Sequence, residues 1–179
     1  MTIKTIGHST HPIERFVELL RKGDVDLLVD VRSVPFSRRH PQFGKERLAK
    51  SLEAAGIAYV WEGTALGGKG GSYTDASARL AFAEALDRLI DRAKSATVCL
   101  MCAEKEPLDC HRTVLVSRRL ADRGVAIEHL LADGHARAHR DVEETLLAKN
   151  AGGDLFDDRA QLLAHAYDAR ERAMKGGSP

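Results

Sequence analysis

Apolar residues along the chain follow two spacings in turn, and this alternation repeats five times before residue 134. Short runs rich in apolar and β-branched residues predict strands at 2–8, 27–31, 57–61, 97–101 and 125–131. Apolar residues at helical spacing predict helices at 13–22, 45–55, 76–94 and 111–123. Parallel strands need crossover connections, so we predict an α/β fold of three layers in a single domain. Its mostly parallel five-stranded sheet would have helices on both faces.

The pattern changes after Asp133-Gly134, where only helical spacing continues. It predicts helices over 137–149 and 157–174, separated by Ala151-Gly152-Gly153. We therefore expect three parts in the chain: an α/β core domain over 1–134, a helical extension packed on it over 135–175, and a frayed tail over 176–179.

Composition restricts the class of protein. The chain has 179 residues, 44% of them hydrophobic, with 27 basic against 26 acidic side chains, which is typical of one globular domain. No run approaches the roughly 18 to 20 apolar residues of a membrane span, and MTIKTIGHSTHP lacks the apolar core of an export signal. We expect a cytoplasmic protein with no membrane partner. Three cysteines are too few for a disulfide scaffold.

Reactive side chains follow the strands at the points where they end. In an open α/β sheet the carboxyl ends of the strands form the crevice that binds ligands, so we expect these side chains to share one site. The opposite ends of the strands carry ordinary turn residues. The candidates after the first three strands are His8, Ser9, Thr10, Asp30, Arg32, Ser37, Arg38, Gly67, Gly68 and Tyr73. Those after the fourth are Cys102, Glu104, Cys110, His111 and Arg112.

Positive charge is concentrated near the second strand. Positions 32–50 hold six basic residues and one acid, a net charge of +5 against +1 for the whole chain. This favours an anionic ligand that carries phosphate or carboxylate, including a nucleotide. Arg32 suits bidentate recognition of such a group, although a structural pair with Asp30 or Glu104 is an equal alternative. Lys45, Arg47 and Lys50 are typical of the solvated face of a helix.

The segment CAEKEPLDCHR at 102–112 carries the densest chemistry. Asp109 is placed to cap the helix that begins at His111, and a thiol there would be ionised by the helix dipole and a nearby cation. Cys102 or Cys110 could therefore be a nucleophile, with Glu104 and either His8 or His111 moving protons. Inert burial is an equal alternative for each thiol, and Cys99 is predicted to be core.

Two other functions stay open. The basic segment 32–50 could bind nucleic acid through its phosphates, in which case affinity would fall steeply with salt. Cys102, Cys110, His111 and His8 could bind zinc, but adjacent residues such as Cys110 and His111 rarely ligate one ion. Our primary hypothesis is an enzyme that acts on an anionic small molecule or nucleotide, without a metal or other cofactor.

Four separated motifs resemble one known family, the domain of unknown function 488. They are TIGHST at 5–10, DVRSVPFSRRHPQF at 30–43, LGGKGGSY at 66–73 and CAEKEPLDCHR at 102–112. The resemblance implies a compact α/β domain and no assigned activity. It marks as motif positions Gly7, His8, Ser9, Asp30, Arg32, Pro35, Ser37, Pro41, Phe43, Cys102, Glu104, Cys110, His111 and Arg112.

Overall fold

A mixed sheet forms the centre of the molecule. The computed structural model describes residues 1–150 and 158–176. The strands are β1 (Thr2–Gly7), β2 (Leu27–Asp30), β3 (Ala58–Trp61), β4 (Val98–Cys102), β5 (Ala126–Leu130) and β6 (Ala136–Ala138). Their order is β3-β2-β4-β1-β5-β6, and every pairing is parallel except that of β6 with β5. The predicted α/β fold with a mostly parallel sheet is confirmed.

The sheet has six strands, so the predicted number of five is wrong. The additional strand, Ala136–Ala138, pairs antiparallel with β5 in a register that sets Leu130 opposite Ala136. Gly134, at φ +87°, turns the chain back beside β5. The sequence Ala-Arg-Ala is too short for a strand pattern to be recognised and has no β-branched residue, so pairing with the open edge of β5 imposes this strand. The expectation of helix alone beyond residue 134 is therefore wrong at this strand.

The helices differ from the prediction mainly around the glycine-rich segment. They are α1 (Ile13–Lys22), α2 (Lys45–Glu53), α3 (Gly63–Leu66), α4 (Tyr73–Ala78), α5 (Leu80–Arg92), α6 (Arg118–Ala121), α7 (His139–Lys149) and α8 (Arg159–Met174). The helix predicted over 76–94 is divided between α4 and α5. Ser72 forms a capping box with Asp75 at the start of α4, and Arg79 adopts extended backbone before α5.

Short irregular turns lead into the site. Two 3₁₀ turns each precede a helix. Pro41–Phe43 precedes α2, and Pro107–Asp109 precedes the helix that connects β4 to β5. This helix, which we call the crossover helix, begins as a π-helical segment, Arg112–Ser117, and continues as α6. π-helical turns are frequent at functional sites.

The predicted break at 151–153 and residues 177–179 of the predicted tail lie outside the described residues.

Each face of the sheet buries its own apolar cluster. One cluster packs Phe16, Leu20 and Leu48 of α1 and α2 against the sheet, and the other packs Phe82, Leu115 and residues of α7 and α8 against the opposite face. The helices therefore cover both faces, as predicted, and the carboxyl edge of the parallel strands is left open. Across residues 1–150 and 158–176, every helix is too short or too polar to cross a bilayer.

Candidate active site

A cleft of about 880 Å³ opens at the carboxyl ends of β1, β2 and β4. Most of the residues predicted for the site line it: His8, Ser9, Thr10, Arg32, Ser37, Arg38, Gly68, Tyr73, Cys102, Glu104, Cys110 and His111. The other three predicted residues, Asp30, Gly67 and Arg112, are not part of its wall. The topology thus brings together side chains that are up to 103 positions apart, from His8 to His111, because parallel strands end at one edge.

Asp30 and Arg32 form a buried ion pair beside the cleft. The guanidinium of Arg32 donates from Nε and Nη2 to the two Asp30 oxygens, at 2.9 and 2.7 Å, and from Nη2 to the Phe43 carbonyl at 2.8 Å. Asp30 also accepts from the Tyr59 hydroxyl at 2.9 Å. The structural alternative for Arg32 is therefore present, and only the Nη1 side of its guanidinium remains directed away from the pair.

His8 is held as a neutral imidazole. Its ring stacks on Phe43 with centroids 4.2 Å apart, and Nδ1 lies 2.9 Å from the Ser9 carbonyl. Nη1 of Arg32 lies 3.3 Å from Nε2, so Nε2 accepts and Nδ1 donates. Burial lowers the pKa of His8 to about 4. Because both nitrogens are engaged and the ring stays neutral, this geometry suits His8 to orienting Arg32 better than to moving a proton.

Two thiols and an imidazole meet at the base of the cleft. The ligand atoms of Cys102, Cys110 and His111 all lie within 4.8 Å of one another, and we call them the thiol cluster. Nδ1 of His111 is 3.5 Å from the Cys102 sulfur and 4.0 Å from the Cys110 sulfur. Nε2 of the same ring lies 2.9 Å from the Val31 carbonyl, which requires Nε2 to carry hydrogen. That bond aims Nδ1 at the sulfurs.

The thiol cluster separates the acidities of its two sulfurs. Burial opposes ionisation of Cys110, but the Cys102 thiol, the Arg112 charge and His111 outweigh it and hold the pKa of Cys110 well below its usual range. The hydrogen bond to Cys110, together with burial, raises the pKa of Cys102. Burial opposes protonation of His111, yet the hydrogen bond and charge of Cys110 raise the pKa of that imidazole. Cys110 is therefore the thiolate and Cys102 its hydrogen-bond donor.

The start of the crossover helix differs from the sequence prediction. The carboxylate of Asp109 does not cap this helix and pairs instead with Arg170 of α8. The Cys110 sulfur accepts the backbone N–H of Arg112 at 3.5 Å. The expectation that Asp109 caps the helix is thus wrong, and the thiol takes the position of the cap, where a backbone N–H stabilises negative charge.

Arg112 acts on the site from behind it. The residue is fully buried, and its guanidinium donates to the carbonyls of Glu104 and Lys105. Gly7 permits this arrangement, since a Cβ at that position would lie 1.9 Å from the Glu104 carbonyl oxygen. The loop that follows β4 is therefore bound to β1 and to the crossover helix, and the Glu104 side chain is left exposed on the cleft wall.

The glycine-rich segment packs directly on the thiol cluster. A Cβ at Gly68 would lie 2.6 Å from the Cβ and Cγ atoms of His111, and one at Gly67 would lie 2.4 Å from the Ser33 hydroxyl. Close approach of backbone explains glycine at both positions. Helix α8 secures the far end of the segment, where Glu171 accepts the Tyr73 N–H at 2.7 Å and Lys175 donates to the Gly71 carbonyl at 2.6 Å.

The mouth of the cleft carries several cationic residues, of which the sequence prediction missed Lys69 and Lys105. Arg39, Lys69 and Lys105 line it together with Arg32 and Arg38, against the carboxylates of Glu104 and Asp109. Phe36, 64% exposed, stands on the same wall. Charge counting over 32–50 pointed to Arg39, but no local signal could place Lys69 and Lys105 beside it. The cleft is therefore cationic with one aromatic side chain at its rim.

The thiol cluster also matches a soft-metal site in the type of its ligands. Two thiolates and one imidazole are accepted by zinc, and the Nε2–H of His111 is oriented by a carbonyl, as in many metal-ligating histidines. The ligand atoms of adjacent Cys110 and His111 lie close enough together to share one ion. Among the described residues the cluster supplies three ligands, so a tetrahedral ion would take its fourth from water or a ligand in the cleft.

Fold and site together define an α/β domain that carries a thiol and imidazole cluster at the base of a cationic cleft. The family model described as domain of unknown function DUF488 matches residues 12–77 and 70–119, more than half of the chain, and the chain belongs to that family. The resemblance seen in the sequence motifs is thereby confirmed. No curated protein and no solved structure matches the chain.

Proposed function

We propose that the protein is a thiol-dependent enzyme that transfers or hydrolyses a group on an anionic small molecule of nucleotide size. The observation that carries this proposal is the Cys110 thiolate, supported by Cys102, His111 and the Arg112 N–H, at the base of a cationic cleft. Perturbed ionisable groups in a cleft mark functional sites. A volume of about 880 Å³ accommodates a ligand of that size.

The cluster supplies the parts of a two-step displacement. The Cys110 sulfur attacks the electrophilic atom of the ligand, and the bond to the leaving group breaks with its electron pair on that group. His111, protonated at Nδ1, gives the leaving group its proton. In the second step Glu104 takes a proton from a water or acceptor, whose oxygen displaces the sulfur and restores the thiolate.

Recognition of the anion is assigned to the mouth of the cleft. The exposed cations Arg38, Arg39, Lys69 and Lys105 surround it, and Ser9, Thr10 and Ser37 add hydroxyl groups. Arg32 contributes through Nη1 alone, because its other nitrogens hold Asp30 and Phe43. Asp30, Gly67 and Arg112 support this surface from behind.

The test is the alkylation rate of each thiol in the folded protein from about pH 5 to 10, followed by peptide mass spectrometry. We expect Cys110 to react with a midpoint well below the roughly 8.5 of a free thiol. Cys99 serves as the internal control, since burial in β4 raises its pKa. Normal titration of Cys110, or reaction at Cys102 in its place, would overturn the proposal.

A nucleic-acid-binding module is the second candidate function. The observation that favours it is Phe36, exposed beside Arg38 and Arg39, because aromatic stacking combined with cationic side chains is how single strands are bound. Binding of a fluorescent oligonucleotide should then weaken steeply between low and moderate salt and should persist in Cys110→Ser. Salt-independent binding, or no binding, would exclude this function.

Zinc is an alternative occupant of the thiol cluster. Purified protein would then carry stoichiometric metal, and chelation would lower its melting temperature, because ion binding adds to folding stability. Metal-free protein with an unchanged melting temperature would leave the thiolate as the reactive form of the cluster.

A further inference from the structure

The molecule contains two thiols that face each other across the base of an open cleft. Cys102 ends β4 and Cys110 precedes the crossover helix, and their sulfurs lie within 4.8 Å. Both side chains line the cleft, although only 5% and 1% of their surfaces are exposed. The third thiol, Cys99, packs in the apolar cluster on the α1 and α2 face and has no place in the cleft wall.

We propose that Cys102 and Cys110 form a dithiol–disulfide couple that reduces a small hydroperoxide. This activity goes beyond group transfer on an anionic ligand, although both depend on the same Cys110 sulfur. Displacement alone requires one reacting sulfur, and it uses the second thiol only as a hydrogen-bond donor to the first. Peroxide reduction requires two, one to attack and one to resolve the oxidised product.

The reaction balances within the cluster. The Cys110 sulfur attacks one oxygen of the hydroperoxide, the O–O bond breaks, and the departing alkoxide or hydroxide takes the proton from Nδ1 of His111. The neutral imidazole then takes the Cys102 proton while the Cys102 sulfur attacks the Cys110 sulfenic acid. The sulfenic oxygen receives that proton and leaves as water, and a disulfide remains. Two thiols lose two electrons and the hydroperoxide gains them, giving water and an alcohol or a second water. An external thiol restores the dithiol by exchange.

The contacts assign the two roles. The Cys110 sulfur accepts the Arg112 N–H at 3.5 Å, and the charge of the buried Arg112 guanidinium stabilises its thiolate, so Cys110 attacks. The Cys102 sulfur lies 3.5 Å from Nδ1 of His111, which can take the Cys102 proton as that sulfur closes on the sulfenic acid. The bond between Nε2 and Val31 holds the ring in place for this transfer.

Burial selects the size of the oxidant. With 1% of the Cys110 side chain exposed, a hydrogen peroxide or short alkyl hydroperoxide molecule can reach the sulfur more easily than a peptide disulfide can. The oxygens released are placed at the base of the cleft, where the exposed Glu104 and Lys105 lie on the wall.

The experiment uses reduced, metal-free full-length protein and equimolar hydrogen peroxide. After quenching with an alkylating reagent, trypsin separates the thiols into residues 95–105, which contain Cys99 and Cys102, and residues 106–112, which contain Cys110. We expect a cross-linked pair of these peptides, with fragmentation assigning the bond to Cys102, and loss of two free thiols per chain. A reducing dithiol should return both thiols.

Three variants test the roles. Cys99→Ser should form the cross-link at the wild-type rate, since its sulfur lies outside the cleft. Cys102→Ser should form none and should accumulate higher oxides on Cys110, because nothing resolves the sulfenic acid. Cys110→Ser should leave Cys102 at least tenfold less reactive toward peroxide. If Cys102→Ser fails to fold, thiol counting and the cross-link in wild-type protein still decide the matter.

The outcomes separate this proposal from the enzyme proposal. Rapid alkylation of Cys110 at neutral pH with no cross-link would overturn the redox couple and leave the group-transfer enzyme standing. A cross-link through Cys99, or mixed adducts without a cross-link, would also overturn it. Slow alkylation of Cys110 together with no cross-link would remove both.

Discussion

Two clusters in this molecule contain histidines, and their surroundings shift the pKa values of those histidines in opposite directions. In the thiol cluster, His111 faces the sulfurs of Cys102 and Cys110. Between β5 and the C-terminal helices a second cluster, the histidine relay, joins Thr5, His129, His139, Tyr167 and Glu143. Its successive contacts measure 2.8, 3.0, 3.1 and 3.1 Å. Both lie beside the sheet, but only the first opens to the cleft.

The neighbours of each ring explain the contrast. An anionic sulfur beside His111 overcomes burial and raises the pKa of that imidazole. In the histidine relay, burial lowers the pKa of His139 to about 4, and burial with the nearby His139 lowers that of His129 well below its ordinary value. The same residue type therefore binds a proton more readily in one place and is a neutral hydrogen-bonding link in the other.

The largest expected effect is the pH dependence of stability that the relay imposes. The pKa of His139 is depressed, so below about pH 6.5 the unfolded chain binds a proton that the folded protein refuses. Stability is lost as pH falls from about 6.5 to 4. At about 1.4 kcal/mol per unit, His139 alone removes about 3 kcal/mol by pH 4, and His129 acts in the same direction. Urea unfolding at pH 7, 5.5 and 4.5 measures this loss.

Two groups act against this loss. The raised pKa of His111 contributes stability below about pH 6.5 that disappears as pH rises, and burial raises the pKa of Glu143, which favours the folded state at acid pH. The His139→Leu variant isolates the relay, because its stability should fall less steeply with acid than that of the wild type. Parallel curves for the two proteins would contradict the assignment.

Removal of the central histidine should produce the next largest effect. At pH 7, His139→Leu removes the hydrogen-bond partner of His129 Nε2 and one of the two partners of the Tyr167 hydroxyl. We expect the free energy of unfolding to fall by about 2–3 kcal/mol. Chemical denaturation measures the change. The matched control is His135→Leu, an exposed histidine whose replacement should change stability by no more than about 0.5 kcal/mol. Equal losses would show that the relay contributes nothing.

The thiol cluster could be predicted from the sequence and the relay could not, for a physical reason. His8, Cys102, Cys110 and His111 follow strands, and the rule that parallel strands end at one edge of a sheet is enough to place them together. His129 lies inside β5 and His139 begins α7, so no rule of strand ends applies to them. Only the antiparallel turn into β6, itself invisible in Ala136–Ala138, brings α7 back over β5.

The same limit applies to Arg32. The sequence predicted that Arg32 follows a buried strand. It could not show whether Arg32 binds a ligand or pairs with Asp30, because the spacing of two residues is the same in both cases. The structure shows the pair with Asp30, completed by the carbonyl of Phe43 from a segment eleven positions on. Contacts across loops of irregular backbone leave no periodic signal in a sequence.

Replacement of His111 tests how much its imidazolium contributes to the acidity of Cys110 in the thiol cluster. His111→Gln removes the imidazolium from the Cys110 thiolate while Cys102 and the Arg112 N–H remain. We expect the midpoint of Cys110 alkylation to rise by about one unit and the rate at pH 7 to fall several-fold. The control is His40→Gln, a histidine on the cleft wall outside the thiol cluster. An unchanged midpoint in His111→Gln would remove His111 from the account of the thiolate.

The smallest effect on stability is expected at the contact between the end of α8 and the glycine-rich segment. Here the C-terminal extension, which also contains part of the histidine relay, touches the wall of the cleft. Lys175 donates to the Gly71 carbonyl, pairs with Glu171 and lies 4.0 Å from the Tyr73 ring centroid. Exposed contacts of this kind contribute up to about 1 kcal/mol each, so Lys175→Met should scarcely change global unfolding.

Local opening is a more sensitive measure of the same contact. Lys69 lies in the secured segment and is a trypsin site, so Lys175→Met should raise the rate of limited cleavage after Lys69 two- to fivefold. Lys94→Met is the control, because among the described residues Lys94 pairs with Asp91 alone, and both side chains are exposed. If cleavage after Lys69 stays at the wild-type rate while Cys110 alkylation is also unchanged, α8 does not secure the cleft. The glycine-rich segment would then be held by its contacts with Ser33 and His111.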